Sequence, residues 1–345
     1  GKLHTFTVTV DKRTPSGDYQ LSITDEQVAA WENDKSSHSF EGKAYVVVHV
    51  EKEGTLKECL VNTGVDVSSV KNLKITGKMT TEDFEFIRSE MGQLEAINIK
   101  DVKIIDGARR WRDGGVDFEE IEDDLLPSEA FKDMLYLRSI ILPAALRKIG
   151  DSSFENLKLT TSLVLPNSAT HIYEYAFTNC HVEIELSDSL QYIGNRAFMG
   201  SGISGMIKLP NTLKYIGESA FSSSSFSGYF YLPEGLEYIG SSAFSMMDKL
   251  SSRDIVVPKG ITKISPGMFV YSGGTNKHNL MIHSNVTEIG DNAFASVDFY
   301  SITFGESVRK IGKNAFRGSD IQGQINLPKD LNNLGSGAFK YSSIS

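Results

Sequence analysis

The chain has 345 residues, 40% of them hydrophobic and 23% charged, with a net charge of −9. That balance argues against nucleic acid and anionic lipid as partners, since both are captured by clustered Lys and Arg. No apolar run approaches the roughly 18 residues of a membrane helix, so the chain is not expected to span a bilayer. Cys59 and Cys180 are the only cysteines and lie several repeat lengths apart, too far for a disulfide, which leaves the compartment open. Gly rather than Met stands at position 1, which fits a processed or truncated N-terminus, with any export signal removed along with the original start.

Residues 1–50 read as a small β-rich module or N-terminal cap. The alternation in Phe6-Thr-Val8-Thr-Val10 and the run Tyr45-Val-Val-Val48 predict strands. Thr24-Asp-Glu-Gln27 has capping-box spacing ahead of Val28-Ala-Ala-Trp31 and predicts a short helix. A second helix is predicted over Thr80–Met91, with Thr80 as N-cap and Phe84, Ile87 and Met91 on one face. Asp117–Asp124 carries six carboxylates in eight residues. Without the Gly and the alternating ligands of a calcium loop, it reads as a solvated acidic connection.

From about residue 121 the chain is periodic. Phenylalanines fall at 131, 154, 177, 198, 221, 244, 269, 294, 316 and 339, at spacings of 21 to 25 residues, which predicts about ten turns of a solenoid. The frame Ile207-Lys-Leu209-Pro210-x-x-Leu213-x-x-Ile216-Gly217-x-x-Ala220-Phe221 repeats as Phe230-Tyr-Leu232-Pro233-x-x-Leu236-x-x-Ile239-Gly240-x-x-Ala243-Phe244. Ile207-x-Leu209 alternates as a half-buried strand that the following Pro ends, so each repeat is expected to offer one short strand. Gly150, Gly194, Gly217, Gly240, Gly290, Gly312 and Gly335 follow the second apolar step, where a turn tolerant of positive φ is expected. Ala before Phe leaves room for close approach, and the ring fills the wide side of the coil. One turn buries about six apolar side chains, worth about 9–18 kcal/mol. Ordering its residues costs more at about 1–2 kcal/mol each, so the turns depend on their neighbours.

The frame L-P-x-x-L-x-x-I-G-x-x-A-F resembles the BspA-like leucine-rich repeats of bacterial surface and secreted proteins. The likeness holds over residues 121–345 as regular leucine-rich repeats and more loosely over 51–120. In that stretch Leu73-Lys-Ile75-Thr-Gly77, Met91-Gly-Gln-Leu94 and Ile97-Asn-Ile99 look like irregular opening repeats. Departures are Ser187, His283 and Gly305 in place of Pro, and Tyr173 and Ser265 in place of Gly. The resemblance implies a leucine-rich-repeat solenoid used non-enzymatically for adhesion or protein binding, outside the cell or on its surface.

Other motifs dissolve into the repeat. Gly200-Ser-Gly202-Ile-Ser-Gly205 spells a dinucleotide-binding pattern but precedes a strand rather than following one. Gly-x-Ser at 150–152, 217–219 and 240–242 lacks the second Gly of a nucleophile elbow. The seven histidines show no zinc spacing, and His278 and His283 read as loop or surface residues. No catalytic, cofactor or metal residue is assigned.

Two surface stripes remain as candidates. The residue between the strand apolars reads Ile141, Val164, Glu185, Lys208, Tyr231, Val256, Met281, Thr303 and Asn326 down the stack. Just before the second apolar step stand Tyr192, Tyr215 and Tyr238 in consecutive turns. Such a tyrosine row offers large contact area at little entropic cost, or simply stacks to support its own turns. The expected partner is a protein or a surface glycan, the other readings being a structural spacer and a carbohydrate-binding module that uses the tyrosine row. The chain ends soon after Phe339 without a polar cap, which points to weak end-to-end self-association.

Overall fold

The computed structural model describes residues 9–11, 20–22, 45–113, 116–203, 207–226, 231–247, 252–274 and 276–344. The helix expected at Val28–Trp31 lies outside them, and Thr9–Asp11 pairs antiparallel with Gln20–Ser22. The rest is a β-solenoid of about 12 turns, more than the ten phenylalanines count, because the stack begins well before the regular repeats. Val46–Val50, Asn72–Met79, Ala96–Ile104 and Ser139–Ile141 form one four-stranded sheet, and all its pairings are parallel. The valine run thus opens the solenoid. Helices α1 (Leu56–Asn62) and α2 (Thr81–Glu90) bridge these strands. The buried Asp83 carboxylate ties both helix starts together, accepting from Thr80 N at 2.9 Å, Leu56 N at 3.0 Å and Gly54 N at 3.2 Å.

Each regular turn contributes more than the single strand expected. The longest ladder runs through the second apolar step: Leu125–Leu126, Lys148–Ile149, His171–Ile172, Tyr192–Ile193, Tyr215–Ile216 and Tyr238–Ile239 pair in parallel. Lys263–Ile264, Glu288–Ile289, Lys310–Ile311 and Asn333–Leu334 continue the stripe as a separate sheet. The Ile-x-Leu step pairs only in parts, as in Leu163–Val164 with Ile184–Glu185, because the Pro after it removes a ladder donor.

The reason for glycine after the second apolar step is also different. None of the seven framed glycines has positive φ. A Cβ built on Gly217 would lie 2.5 Å from the backbone N of Asn195, and one on Gly240 would lie 2.4 Å from that of Glu218. Glycine is there because the previous turn passes too close for a side chain. Positive φ falls two residues later, at Ser152, Tyr175, Arg196, Ser219, Ser242, Asn292 and Asn314.

The phenylalanines form a column. Phe154 and Phe177 stack at 4.8 Å, Phe177 and Phe198 at 5.0 Å, Phe198 and Phe221 at 5.1 Å, and Phe221 and Phe244 at 5.5 Å. Beside it a backbone ladder links Phe N–H groups to the carbonyl of the residue before the next Phe, mostly alanine, for example Phe177 to Ala197 at 2.7 Å and Phe221 to Ala243 at 2.8 Å. The bond does not require alanine, since Phe244 makes it to Met268 at 2.9 Å.

Candidate functional site: a tyrosine row walled by a hairpin

The expected solvated acidic connection is instead half of an antiparallel hairpin, Gly107–Asp113 with Val116–Glu122. Its register sets Arg109 opposite Glu120, Arg110 opposite Glu119 and Trp111 opposite Phe118. Opposed charges and an aromatic pair across the strands stabilise it. A visible signal was missed: Gly114-Gly115 separates a basic run, Arg109-Arg110-Trp111-Arg112, from an acidic one, which is hairpin chemistry.

The hairpin lies against the start of the second-step ladder, held by a buried arginine. Arg109 is 8% exposed; its Nε donates to Asp151 Oδ2 at 2.7 Å, and its terminal nitrogens reach Glu174 and, at 3.7 Å, Glu120. Its guanidinium plane lies between two rings, 4.2 Å from the Trp111 centroid and 3.8 Å from that of Tyr173. Trp111 stacks in turn on Phe118 at 5.5 Å. Lys148 adds a second anchor, with Nζ bonded to Glu120 at 3.0 Å and to Glu122. Burial pulls its pKa down, but the bonds to Glu122 and Glu120 outweigh that and raise it. Tyr173, the departure from Gly, is therefore one face of the arginine sandwich.

From this wall the aromatic row runs along the sheet. Tyr173 meets Tyr192 edge-on at 5.9 Å, and His171 stacks on Tyr192 at 5.5 Å. Tyr192 stacks on Tyr215, and Tyr215 on Tyr238, each at 4.7 Å and within 12° of parallel. The interior ring faces are covered by each other, leaving edges and hydroxyls outward. Among the described residues none of these three hydroxyls has a hydrogen-bond partner. Burial, with the Glu174 carboxylate nearby, raises the Tyr192 pKa, so its phenol stays protonated and able to donate. Burial likewise raises Tyr215, helped by Tyr238 and Glu174.

The other predicted stripe is less continuous. Glu185 pairs in register with Val164, and Met281 stands between Val256 and Thr303. Lys208 and Tyr231 lie outside paired strands, although Glu185, Lys208, Tyr231 and Met281 are all exposed. The structure thus places the three tyrosines together in one stripe and the other four candidates along a second, interrupted one. His171, Arg109, Trp111 and Phe118 join the tyrosine stripe, and sequence reasoning had not placed them there.

Histidine 278 also corrects the sequence reading. It is fully buried rather than on a loop surface, with Nδ1 at 2.5 Å from the Ser252 carbonyl, and burial lowers its pKa. Gly202 of the dinucleotide-like motif pairs with His181, and a Cβ there would lie 2.8 Å from that ring, so the glycine serves the stack. Cys59 and Cys180 are both free. No helix among the described residues is long and apolar enough to cross a membrane.

The anchor of the wall has a pH signature. Burial and the neighbouring Glu174 carboxylate push Asp151 up to about 7, despite Arg109. Its unfolded value is about 3.9, so between the two the folded chain holds the extra proton. This contribution to stability is therefore full below pH ~4 and is lost as the pH rises through ~7. Denaturant titrations of the wild type and Asp151→Asn from pH 4 to 8 are expected to show the wild type losing ground to the variant as the pH rises. A flat difference would contradict the assignment.

Comparison with known proteins agrees with this architecture. The family model described as the BspA type leucine rich repeat region matches in six copies, over residues 124–251, 160–276 and 268–345. No curated protein sequence matches the chain. Among solved structures, a leucine-rich repeat protein from Bacteroides ovatus is similar at 18% identity, covering 72% of this chain and 84% of its own, with a TM-score of 0.29. One from Eubacterium ventriosum is similar at 16% identity, covering 87% and 91%, with a TM-score of 0.36. A leucine rich cell surface protein from Faecalibacterium prausnitzii is similar at 18% identity, covering 77% and 64%, with a TM-score of 0.34.

Proposed function

Since the chain belongs to the BspA-type leucine-rich-repeat family, we propose that it is a non-enzymatic adhesion module, outside the cell or on its surface, that binds a protein partner along the tyrosine row. One observation carries this reading: Tyr192, Tyr215 and Tyr238 are held in a regular stack, and their hydroxyls have no partner among the described residues. Rings already fixed lose little conformational freedom on binding, so their contact area converts efficiently into affinity. The hairpin wall sets one end of the surface and thereby the register of whatever lies along it.

The stacking function of the row and its binding function separate in one variant. Tyr192→Phe/Tyr215→Phe/Tyr238→Phe keeps the rings and removes the hydroxyls. On an array of extracellular and matrix proteins the wild type is expected to bind at least one member, and the triple variant to bind it about tenfold more weakly or worse at an unchanged melting temperature. Absence of any bound protein, or binding untouched by the variant, would refute the proposal.

A further inference from the structure

The stacked turns are interrupted once along the tyrosine stripe. Tyr238–Ile239 ends the six-stranded sheet and Lys263–Ile264 begins the next, with no strand pairing between them. The phenylalanine side stays closed there: Ser242 N donates to Pro266 O and Phe244 N to Met268 O, both at 2.9 Å, and Phe244 stacks on Phe269 at 5.2 Å. The two turns are joined at one side and apart at the other. One feature of the sequence coincides with this: Ser265-Pro266 stands in the glycine slot, whereas the 25-residue spacing from Phe244 to Phe269 recurs from Phe269 to Phe294, where Ile264 and Ile289 stay paired. A side chain in that slot is not sufficient, because Tyr173 keeps its N–H bond to Ile149 O at 2.9 Å. At Ser265 it is the hydroxyl that bonds to the Ile239 carbonyl.

The opening is a cleft of about 460 Å³ whose lining includes Glu237, Tyr238, Thr262, Lys263 and Glu288. Tyr238 is 46% exposed because only one of its faces is stacked, on Tyr215; the other borders the cleft. It is the one ring of the row with a free face. In the neighbouring turn, Glu237 N and Tyr238 N both donate to Lys214 O, at 3.0 and 3.2 Å. The equivalent groups across the cleft, Glu237 O with Thr262 N and Lys263 N, make no such bonds among the described residues. Glu237, paired with Lys214 at 3.0 Å, and Glu288, paired with the 70%-exposed Lys263 at 3.6 Å and with Lys310, complete the rim as exposed ion pairs that keep further donor and acceptor capacity.

We infer that this cleft is a carbohydrate site, taking a single terminal pyranose residue of a glycan. A pyranose has an apolar C–H face that suits one open aromatic ring, and a rim of hydroxyls that each donate and accept. The cleft supplies both halves: one tyrosine face, and donors alternating with acceptors around it. Its volume falls within the range of small-ligand sites. The inner rings of the row cannot take a sugar face-on, since Tyr215 is covered on both faces at 4.7 Å and Tyr192 by Tyr215 on one face and by His171, at 5.5 Å, on the other. The site shares Tyr238 with the row assigned to a protein partner but uses its open ring face rather than its hydroxyl, so Tyr238→Phe distinguishes failure of one from failure of the other.

The test is an array carrying both host-type glycans and bacterial cell-wall glycan fragments, followed by calorimetric titration with the methyl glycoside of the strongest terminal sugar. The array distinguishes the two sources of the same chemistry. The wild type is expected to bind. Tyr238→Ala is expected to lose about tenfold or more in affinity, and Tyr238→Phe, which keeps the ring face, to stay within about threefold. Tyr136→Ala, at an exposed tyrosine outside both stripes, should bind as the wild type does. Lys263→Ala changes only an exposed rim residue, so its expected weakening holds even if Tyr238→Ala proves unstable. No glycan bound, or binding that survives both Tyr238→Ala and Lys263→Ala, overturns the inference.

Discussion

Replacing Phe221 by alanine lowers the free energy of unfolding by about 3–5 kcal/mol, while the same change at Phe339 costs much less. Phe221 is fully buried, with rings above and below it at 5.1 and 5.5 Å. Truncating it leaves a cavity that the stack cannot close, because the alanine–phenylalanine backbone ladder fixes the spacing of the turns on both sides. Phe339 is only partly buried and has one stacked neighbour among the described residues, Phe316 at 5.1 Å, so less contact is lost there. A central defect also uncouples two halves of an array held together by nearest-neighbour contacts. Urea titrations of the two variants decide the matter; equal midpoint shifts would mean that the column does not carry the stability assigned to it. A second transition in Phe221→Ala would be the signature of that uncoupling.

The phenylalanine column was legible in the sequence because one residue performs one task in every turn, and repetition exposes it. The glycine slot was legible as a position but not as a mechanism. Whether Gly217 needs positive φ or mere clearance depends on where Asn195 of the previous turn lies, which no single repeat records. The hairpin was missed for a related reason. Its acidic strand looks like a solvated run until it is set against Arg109–Arg112 across the turn, and the anchoring partners of Arg109 lie 42 and 65 residues away. Tyr173 looked like a fault in the frame, whereas it replaces a missing glycine with one side of a cation sandwich. The Ser265 departure from the glycine slot was plain, but which stripe would open beside it depended on which contacts held. The phenylalanine side held and the tyrosine side parted. Of the candidate surface, the alignment of the three tyrosines followed from the period, and everything that frames them came from long-range contacts.

That framing rests on Arg109, and Arg109→Met is expected to release the hairpin at a cost of about 3–5 kcal/mol. The substitution keeps most of the side-chain length, so the loss is chiefly electrostatic. Asp151, at 7% exposure, and Glu174 are left facing each other without the cation that joins them. Part of this is relieved by proton uptake, since Asp151 is already pushed up to about 7 with the arginine present. Removal of Arg109 raises it further, so the defect is expected to be milder at pH 6 than at pH 8. Arg109→Met/Asp151→Asn removes the stranded charge and is expected to be more stable than Arg109→Met alone, a non-additivity that a merely space-filling arginine would not produce. Release is directly visible, because Trp111 would leave its sandwich between the guanidinium and Phe118. In a Trp31→Phe background, which leaves Trp111 as the sole tryptophan, Arg109→Met should red-shift the fluorescence and expose the hairpin to proteolysis while the repeats stay folded. If Trp111 emission and the protease pattern are those of the wild type, the hairpin is held by something other than this ion cluster.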